Sequence, residues 1–371
     1  MSTPPRTPDS ETAPGAGPAV PGVPSEGEMA LEPQRRIPSA RQLYRGLFEG
    51  ESTSVLIALG LVLALFAITH PGFFSTHEIQ NVLQNSVYVG VIACGMTFLI
   101  AMRQLDLSVS SILALTAAIG ALLMNQGWNP WLAALAALGC AGLMGLVNGF
   151  LVQTLRINAL LATLATLFAY NGLNQGLNAS NTVIIGYTNN DVPIKGNHAL
   201  HNSFFTSLSG NILSIPIAFW LMVLFAIVLT IVLRFTPFGY RVRSIGSNPE
   251  AAHFSGISIP RVTYQAFLLA GVVAGLAGLL VLIFFQDADP TVGGSDNLLA
   301  IAAVIIGGTP MRGGTGTVIG AMVGAVLLSG VIQSGLTYFS ISENWTQFAL
   351  GVVILAAVSV DSVVRAGRRR A

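Results

Sequence analysis

Long apolar runs separated by short polar turns constrain this chain more than any other feature of its sequence. The runs LIALGLVLALFAIT (56–69) and FLLAGVVAGLAGLLVLIFF (267–285), for example, contain no charged residue. A helix of about 20 such residues crosses the roughly 30 Å hydrocarbon core of a bilayer. The whole chain is 53% hydrophobic and 9% charged, whereas a soluble domain carries about 25% charged residues. The sequence therefore predicts an all-α, polytopic membrane protein.

Ten apolar segments are predicted to form the transmembrane helix bundle, within a membrane domain that covers residues 51–365. The segment at 298–309 is too short to cross about 30 Å as a straight helix, so a discontinuous or re-entrant segment is predicted there. The ten segments are 54–69, 79–101, 107–124, 131–152, 159–177, 213–233, 263–285, 298–309, 317–335 and 345–361.

Residues 1–50 differ in composition from the rest of the chain. They are rich in Pro, Gly, Ala, Ser and Glu, and their first aromatic residue is Tyr44. Such a segment buries too little apolar surface to offset the entropy of ordering. We predict a disordered tail, either an inert extension or a segment with a regulatory or docking role.

Arginine is confined to alternate polar segments of the predicted map. A bias of basic residues toward one side of the membrane marks the cytoplasmic side. The pattern predicts that both termini are cytoplasmic, with 366–371 as a short basic tail; Lys195 is the only basic residue on the opposite side. The sixteen arginines are Arg6, Arg35, Arg36, Arg41, Arg45, Arg103, Arg156, Arg234, Arg241, Arg243, Arg261, Arg312, Arg365, Arg368, Arg369 and Arg370.

Two charged residues interrupt the apolar sequence in RQLDLSVSS, where Arg103 is followed by Asp106. A charge at membrane depth costs about 2.5–3.5 kcal/mol even on lenient insertion scales. One interpretation is a turn between two spans, in which Asp106 and Ser108 cap the second helix. The other is a discontinuous helix whose polar ends reach a transport path.

Neutral polar residues also lie within the predicted spans, among them Asn85, Asn148 and Asn171. They either make interhelical hydrogen bonds or offer partners to a hydroxyl-rich solute. With Asp106 and Ser108 they form the candidate translocation path.

The longest internal cytoplasmic segment, 234–262, contains NPEAAHFSG. This stretch predicts a short helix with Asn248 as its N-cap, Pro249 in the first position, Glu250 in the first turn and Gly256 at its end. It is either a simple loop or a rigid docking element for a cytoplasmic partner.

Neither catalytic nor metal-binding residues are predicted. The only lysine is followed by Gly196, so the chain lacks the Gly-Lys-Ser/Thr of a P-loop and is not expected to be an enzyme. His198 and His201 are expected to lie in a solvated outer loop. A net charge of +1 gives no basic surface for nucleic acid. Ionisable residues are scarce inside the spans, which disfavours an ion-coupled carrier.

Several segments together resemble the ribose-type sugar permeases of ABC importers. GMTFLIAMRQLDLSVSSILALTA (95–117) is similar to their GIDLSVGS segment, although Arg103, Gln104 and Ser110 stand where glycines are common. NPEAAHFSG resembles a shortened EAA-type coupling loop. Further similar segments are NGFLVQTLRINALLATLATL (148–167), AFLLAGVVAGLAGLL (266–280), LLAIAAVIIGGTPMRGGTGTVIGAMVGA (298–325) and 345–370.

The resemblance implies a multi-pass permease subunit in a bacterial cytoplasmic membrane, embedded in lipid and passing a monosaccharide similar to ribose, xylose or galactose. Cytoplasmic ATPase subunits would bind Asn248, Pro249, Glu250, Ala251, Ala252 and Gly256. The partner subunits would use ATP, and this chain would hold no cofactor. A second permease copy, identical or paralogous, would complete the pathway, and an extracytoplasmic binding protein would dock on loops 178–212 and 286–297. Permeases for nucleosides or branched-chain amino acids are the alternatives, followed by an ion-coupled secondary transporter.

Overall fold

Helices account for most of the computed structural model, which describes residues 53–188, 192–294 and 296–339 and the single positions 345, 348, 351, 352 and 355. The predicted tails, 1–50 and 366–371, lie outside the described residues, as does most of the predicted segment 345–361. In chain order the helices are α1 (Thr53–Thr69), α2 (Thr76–Ala101), α3 (Val109–Asn125), α4 (Pro130–Gln153), α5 (Ala159–Asn178), α6 (Ser203–Leu208), α7 (Ile217–Phe235), α8 (Pro237–Ser247), α9 (Pro249–Phe254), α10 (Ile259–Phe285), α11 (Asp296–Ile306), α12 (Val318–Ala325), a π-helix (Val326–Gln333) and α13 (Ser334–Tyr338), with 3₁₀ turns at Pro71–Phe74 and Ala199–His201.

Five helical segments of the described chain are long and apolar enough to cross a membrane: α2, α4, α7, α10 and the continuous segment Val318–Tyr338. The last of these joins α12, the π-helix and α13. Shorter apolar helices are α1, α3 and α11. The nine predicted segments from 54–69 to 317–335 each overlap a helix, which confirms the polytopic helical fold. The side on which the termini lie stays a prediction.

The predicted short segment corresponds to α11, which has 11 residues. At about 1.5 Å per residue it rises roughly 16 Å, about half the hydrocarbon thickness. The chain then turns through 307–317 into α12, and α11 packs against α12. Whether this pair enters and leaves the membrane on one side stays a prediction.

α2 and α10 form the centre of the bundle. α2 is buried along most of its length from Val82 to Ala101. α10 packs along α2, α3 and α4, while the remaining sides of α2 meet α7, α11, α12 and the π-helix. α3 packs against α4, α5 and α10, so that the chain changes direction sharply between α2 and α3.

Glycines allow α10 to approach α4 closely. A Cβ at Gly145 would overlap the carbonyl oxygen of Phe267, and a Cβ at Gly271 would meet the backbone of Ala141 and Gly145. Without a hydrophobic driving force between helices in lipid, this close contact supplies the packing energy of the pair. Gly145 and Gly271 therefore mark the point of closest approach between α4 and α10.

On the predicted outer side, two short antiparallel strand pairs tie the loops together. β1 (Val183–Ile184) pairs with β4 (Asp287–Ala288), with Val183 opposite Ala288. β2 (Asn211–Ile212) pairs with β3 (Ile215–Pro216). The first pair joins the two predicted outer loops, 178–212 and 286–297, into one structural unit.

Gly145→Ala is expected to destabilise the protein by about 1–3 kcal/mol, because the added methyl group overpacks the contact between α4 and α10. The matched control is Gly139→Ala on the same helix, where a Cβ would meet nothing within 4 Å. The control should leave stability unchanged or raise it by up to about 1 kcal/mol through helix propensity. Thermal unfolding in detergent measures both changes, and equal melting temperatures would contradict the packing argument.

Candidate functional site

The interruption between α2 and α3, residues 102–108, is the centre of the candidate site and is here called the α2–α3 break. α2 ends with Arg103 in the left-handed conformation, at a φ of 63°. The amide of Gln104 then donates to the carbonyl of Leu99 at 2.8 Å, which closes the helix end. Glycine is the usual residue at such a position.

Asp106 lies in the α2–α3 break with none of its surface exposed. Its Oδ1 accepts hydrogen bonds from the Ser108 amide at 2.8 Å and the Ser108 hydroxyl at 2.7 Å. Its Oδ2 accepts from Asn148 Nδ2 of α4 at 3.1 Å, and the same nitrogen lies 2.7 Å from Ser108 Oγ. Thr166 of α5 donates to Asn148 Oδ1 at 2.8 Å. Both carboxylate oxygens are therefore satisfied by protein groups.

The backbone of the α2–α3 break is satisfied by side chains from distant helices. The Leu107 amide donates to Thr163 Oγ1 of α5 at 3.1 Å. Asn297 of α11 donates through Nδ2 to the Leu107 carbonyl at 3.0 Å. Ser108 is the N-cap of α3, but its side chain makes no capping bond; Asp106 accepts from the Ser108 amide instead. Of the predicted capping pair, Asp106 therefore supplies the accepting side chain.

The structure brings together three of the five predicted path residues: Asp106, Ser108 and Asn148. Asn85 lies on another side of α2, where its Nδ2 donates to Ser334 Oγ at 3.0 Å. Asn171 is partly buried on α5 and makes no side-chain hydrogen bond within the described part of the chain.

The face of α5 that carries Thr163 and Thr166 continues toward the predicted outer side with Asn174 and Asn178, both buried. Asn178 Nδ2 donates to Asn174 Oδ1 at 2.9 Å. Among the described protein groups, Asn174 Nδ2 and Asn178 Oδ1 have no partner. One donor and one acceptor on this face therefore keep unused hydrogen-bonding capacity.

A cavity of about 260 Å³ opens where the first turns of α2 meet α7 and α10. Its polar side comes from α2, and its apolar side includes Leu280 and Ile283 of α10. This site was not predicted from the sequence, although its polar α2 residues follow the i, i+3, i+4, i+7 spacing that places side chains on one face of a helix. The polar α2 residues are His77, Gln80, Asn81 and Gln84.

The NPEAAHFSG stretch forms α9, the short helix predicted from its capping residues. It is here called the coupling helix, after the coupling loop that the sequence resembles. Asn248 Oδ1 accepts from the amides of Glu250 at 3.0 Å and Ala251 at 3.1 Å. Gly256 follows the helix at a φ of 78°. Ala252 packs inward, while Pro249, Glu250 and Ala251 are exposed.

Phe254, at the end of the coupling helix, is 88% exposed. A large aromatic side chain this exposed, on a helix that also presents a charge, is typical of a protein-docking surface. Sequence reasoning did not single it out, because a phenylalanine in an apolar chain carries no signal before its exposure is known.

The strand pair of β1 and β4 carries an acidic group, Asp287. Burial raises the pKa of the Asp287 carboxyl above its usual range, and the charge of nearby Asp289 raises it further. The charged form of Asp287 is therefore disfavoured in the folded protein, which gains stability as the pH falls through the raised pKa.

Comparison with known proteins agrees with this architecture. The model of the family described as "Branched-chain amino acid transport system / permease component" matches residues 78–358, more than half of the chain. The chain belongs to this permease family. It is a multi-pass transport subunit rather than a catalytic enzyme, and the resemblance recognised in the sequence is confirmed.

Relatives of this permease cover most of its length. The ribose import permease protein of Haemophilus influenzae is 33% identical over 322 residues, which cover 86% of this chain and 95% of the relative. That of Bacillus subtilis is 36% identical, covering 82% and 91%. The L-arabinose ABC transporter permease protein of Azospirillum brasilense is 30% identical, covering 92% and 98%. No solved structure matches the chain.

Asn148→Ala is expected to destabilise the permease by about 1–3 kcal/mol, because it removes the donor to the buried Asp106 Oδ2 and Ser108 Oγ. The matched control is Asn171→Ala, which removes the same group from a site without side-chain hydrogen bonds and should change stability by less than about 0.5 kcal/mol. Thermal unfolding in detergent provides the measurement. Equal effects of the two substitutions would argue against a stabilising network.

Proposed function

We propose that this permease is the membrane subunit of an ABC importer that passes a monosaccharide into the cytoplasm. Partner ATPase subunits hydrolyse ATP, and an extracytoplasmic binding protein delivers the sugar. The coupling helix is the observation that carries this proposal. It is a capped helix between α8 and the long helix α10, and its Glu250 and Phe254 side chains are exposed.

The coupling helix has the chemistry of a docking site. Glu250 is exposed and makes no ion pair within the described part of the chain, so that its charge is available to a partner. Phe254 offers a large apolar side chain that a groove on an ATPase subunit would bury. We propose that Asn248, Pro249, Ala251, Ala252 and Gly256 form the short capped helix that holds these two residues at the surface.

A monosaccharide is the favoured cargo, because relatives that cover more than four fifths of the chain are named as ribose and L-arabinose permeases. The family description, which names branched-chain amino acids, supports a second candidate cargo. Nucleosides and an ion-coupled carrier are less favoured. Neutral amide and hydroxyl groups, rather than fixed charges, dominate the buried polar sites, and this suits an uncharged, hydroxyl-rich solute.

The translocation path is proposed to include Asn85, Asp106, Ser108, Asn148 and Asn171. Asp106 is fully buried and internally bonded. A solute would therefore reach it only after the α2–α3 break opens. The unpartnered amide atoms of Asn174 and Asn178 offer a further contact for a sugar hydroxyl.

The outer loops joined by β1 and β4 are the proposed contact for the binding protein. They present Asp287 and Asp289 next to one another on a strand pair and its following turn. A second permease copy, identical or paralogous, would complete the pathway. The resulting assembly would alternate between two states biased by ATP binding in the partners.

The direct test is to purify the tagged permease from its native host in mild detergent and identify the co-purifying chains by mass spectrometry. A P-loop ATPase together with a secreted binding protein is the expected result. The binding protein is then tested by calorimetry against D-ribose, L-arabinose, D-xylose, D-galactose, adenosine and L-leucine. An intact permease without either partner would contradict the proposal, and binding of leucine alone would replace the sugar with an amino acid.

Glu250→Arg and Phe254→Ala are expected to lower the amount of ATPase subunit that co-purifies, because each removes one element of the exposed docking surface. A docking residue of this kind typically contributes about 2 kcal/mol, roughly a thirtyfold change in affinity. Leu213→Ala is the control, since Leu213 is 85% exposed but lies in the turn between β2 and β3. Unchanged ATPase recovery in both coupling-helix variants, with the permease folded, would remove the helix from the proposal.

A further inference from the structure

We propose that Arg103 is a positioning residue of the transport cycle. Its guanidinium connects the coupling helix to the α2–α3 break, so that displacement of one element moves the other. This inference rests on the proposed function, because it concerns how an ATPase bound to the coupling helix acts on the membrane-embedded helices.

The guanidinium of Arg103 contacts the end of α8. Nε donates to the carbonyl of Gly246 at 2.6 Å, and Nη2 donates to the carbonyl of Ser247 at 2.8 Å. Carbonyls at a helix C-terminus lack intrahelical partners and carry partial negative charge, so they favour a cation. The next residue, Asn248, is the N-cap of the coupling helix. Arg103 therefore holds the backbone from which that helix begins.

On its other side, Arg103 is close in the chain to the buried network. Gln104 and Leu105 alone separate it from Asp106, which is bonded to Asn148 of α4. The Leu107 amide and carbonyl are bonded to α5 and α11. A shift of Arg103 would thus act on three helices that surround the α2–α3 break.

The three segments that meet at Arg103 are packed too tightly to slide past one another. A Cβ at Gly246 would overlap the carbonyl oxygen of Ala101, and the Gly314 amide donates to that same oxygen at 2.9 Å. A Cβ at Gly313 would lie 2.7 Å from Arg103 Cγ. The end of α2, the end of α8 and the 313–314 turn therefore behave as one packed unit.

Arg103 occupies a backbone conformation that favours glycine. A φ of 63° suits glycine and disfavours any other residue except asparagine or aspartate. Glycine would complete the turn at lower cost. The arginine adds a planar fork with two donors aimed at two carbonyls, which lysine cannot reproduce.

The test compares Arg103→Gly with Arg156→Gly. Both replace an arginine of positive φ in a predicted cytoplasmic turn, since Arg156 has a φ of 56°. Arg156 is exposed and makes no side-chain hydrogen bond within the described part of the chain. The two substitutions therefore give the same backbone benefit and the same loss of charge, and only the first removes the contact to α8. Arg103→Lys keeps the positive charge but lacks the planar guanidinium that donates to both carbonyls.

Each variant is purified with its ATPase subunit and reconstituted in phosphatidylethanolamine–phosphatidylglycerol vesicles. ATP hydrolysis is measured against the concentration of co-purifying binding protein, with D-ribose as the probe. For Arg103→Gly we expect normal ATPase content, an unchanged half-saturating concentration of binding protein and an approximately tenfold lower maximal stimulation. Arg103→Lys should give an intermediate value, and Arg156→Gly should behave as the unmodified permease.

Normal stimulation in Arg103→Gly would overturn the positioning role and leave the proposed function intact. Loss of the ATPase subunit or of the folded permease in Arg103→Gly would also overturn it, because the residue would then act in assembly. If Arg103→Gly and Arg156→Gly lose stimulation equally, the charge of the cytoplasmic face is responsible instead. Absence of both the ATPase and stimulation in the unmodified permease would refute the proposed function, and the role of Arg103 with it.

Discussion

The need to satisfy backbone polar groups where a helix stops inside the protein governs this structure. At the α2–α3 break, the chain leaves a buried helix without water to pair its amides and carbonyls, and each unpaired group would cost several kcal/mol in hydrocarbon. Side chains of Asp106, Thr163 and Asn297 take these positions. Asp106 belongs to the break itself, whereas Thr163 lies on α5 and Asn297 on α11. The interruption is therefore stable only when α5 and α11 are packed against it.

This dependence makes the α2–α3 break a point at which helices from distant parts of the chain meet. Asn148 joins α4 to Asp106 by a hydrogen bond. Arg103, at the start of the α2–α3 break, is bonded to the end of α8. A fully bonded polar cluster has few intermediate arrangements, since moving one member leaves others unpaired. Such a cluster suits a transporter, which must change between discrete states and not deform gradually.

Much of the local structure was predictable because its causes are local. Apolar runs predicted nine described helices, and capping residues predicted the helix that begins at Pro249. Asp106 and Ser108 were predicted as a capping pair, but the sequence does not indicate which of them supplies the accepting side chain. In the structure it is Asp106, which accepts from the Ser108 amide. The contacts of Arg103 with Gly246 and Ser247 span more than 140 residues of sequence, and no spacing rule indicates them.

The sequence by itself determined the class of protein, the helices and the family, because apolar length, capping and motif order depend on residues close together in the chain. Tertiary structure decided which polar residues meet. It joined Asp106 to Asn148, separated both from Asn85, and exposed Phe254 beside Glu250. Polar side chains in a buried bundle are directed by whichever neighbour satisfies their hydrogen bonds, and that neighbour is known only when the helices have packed.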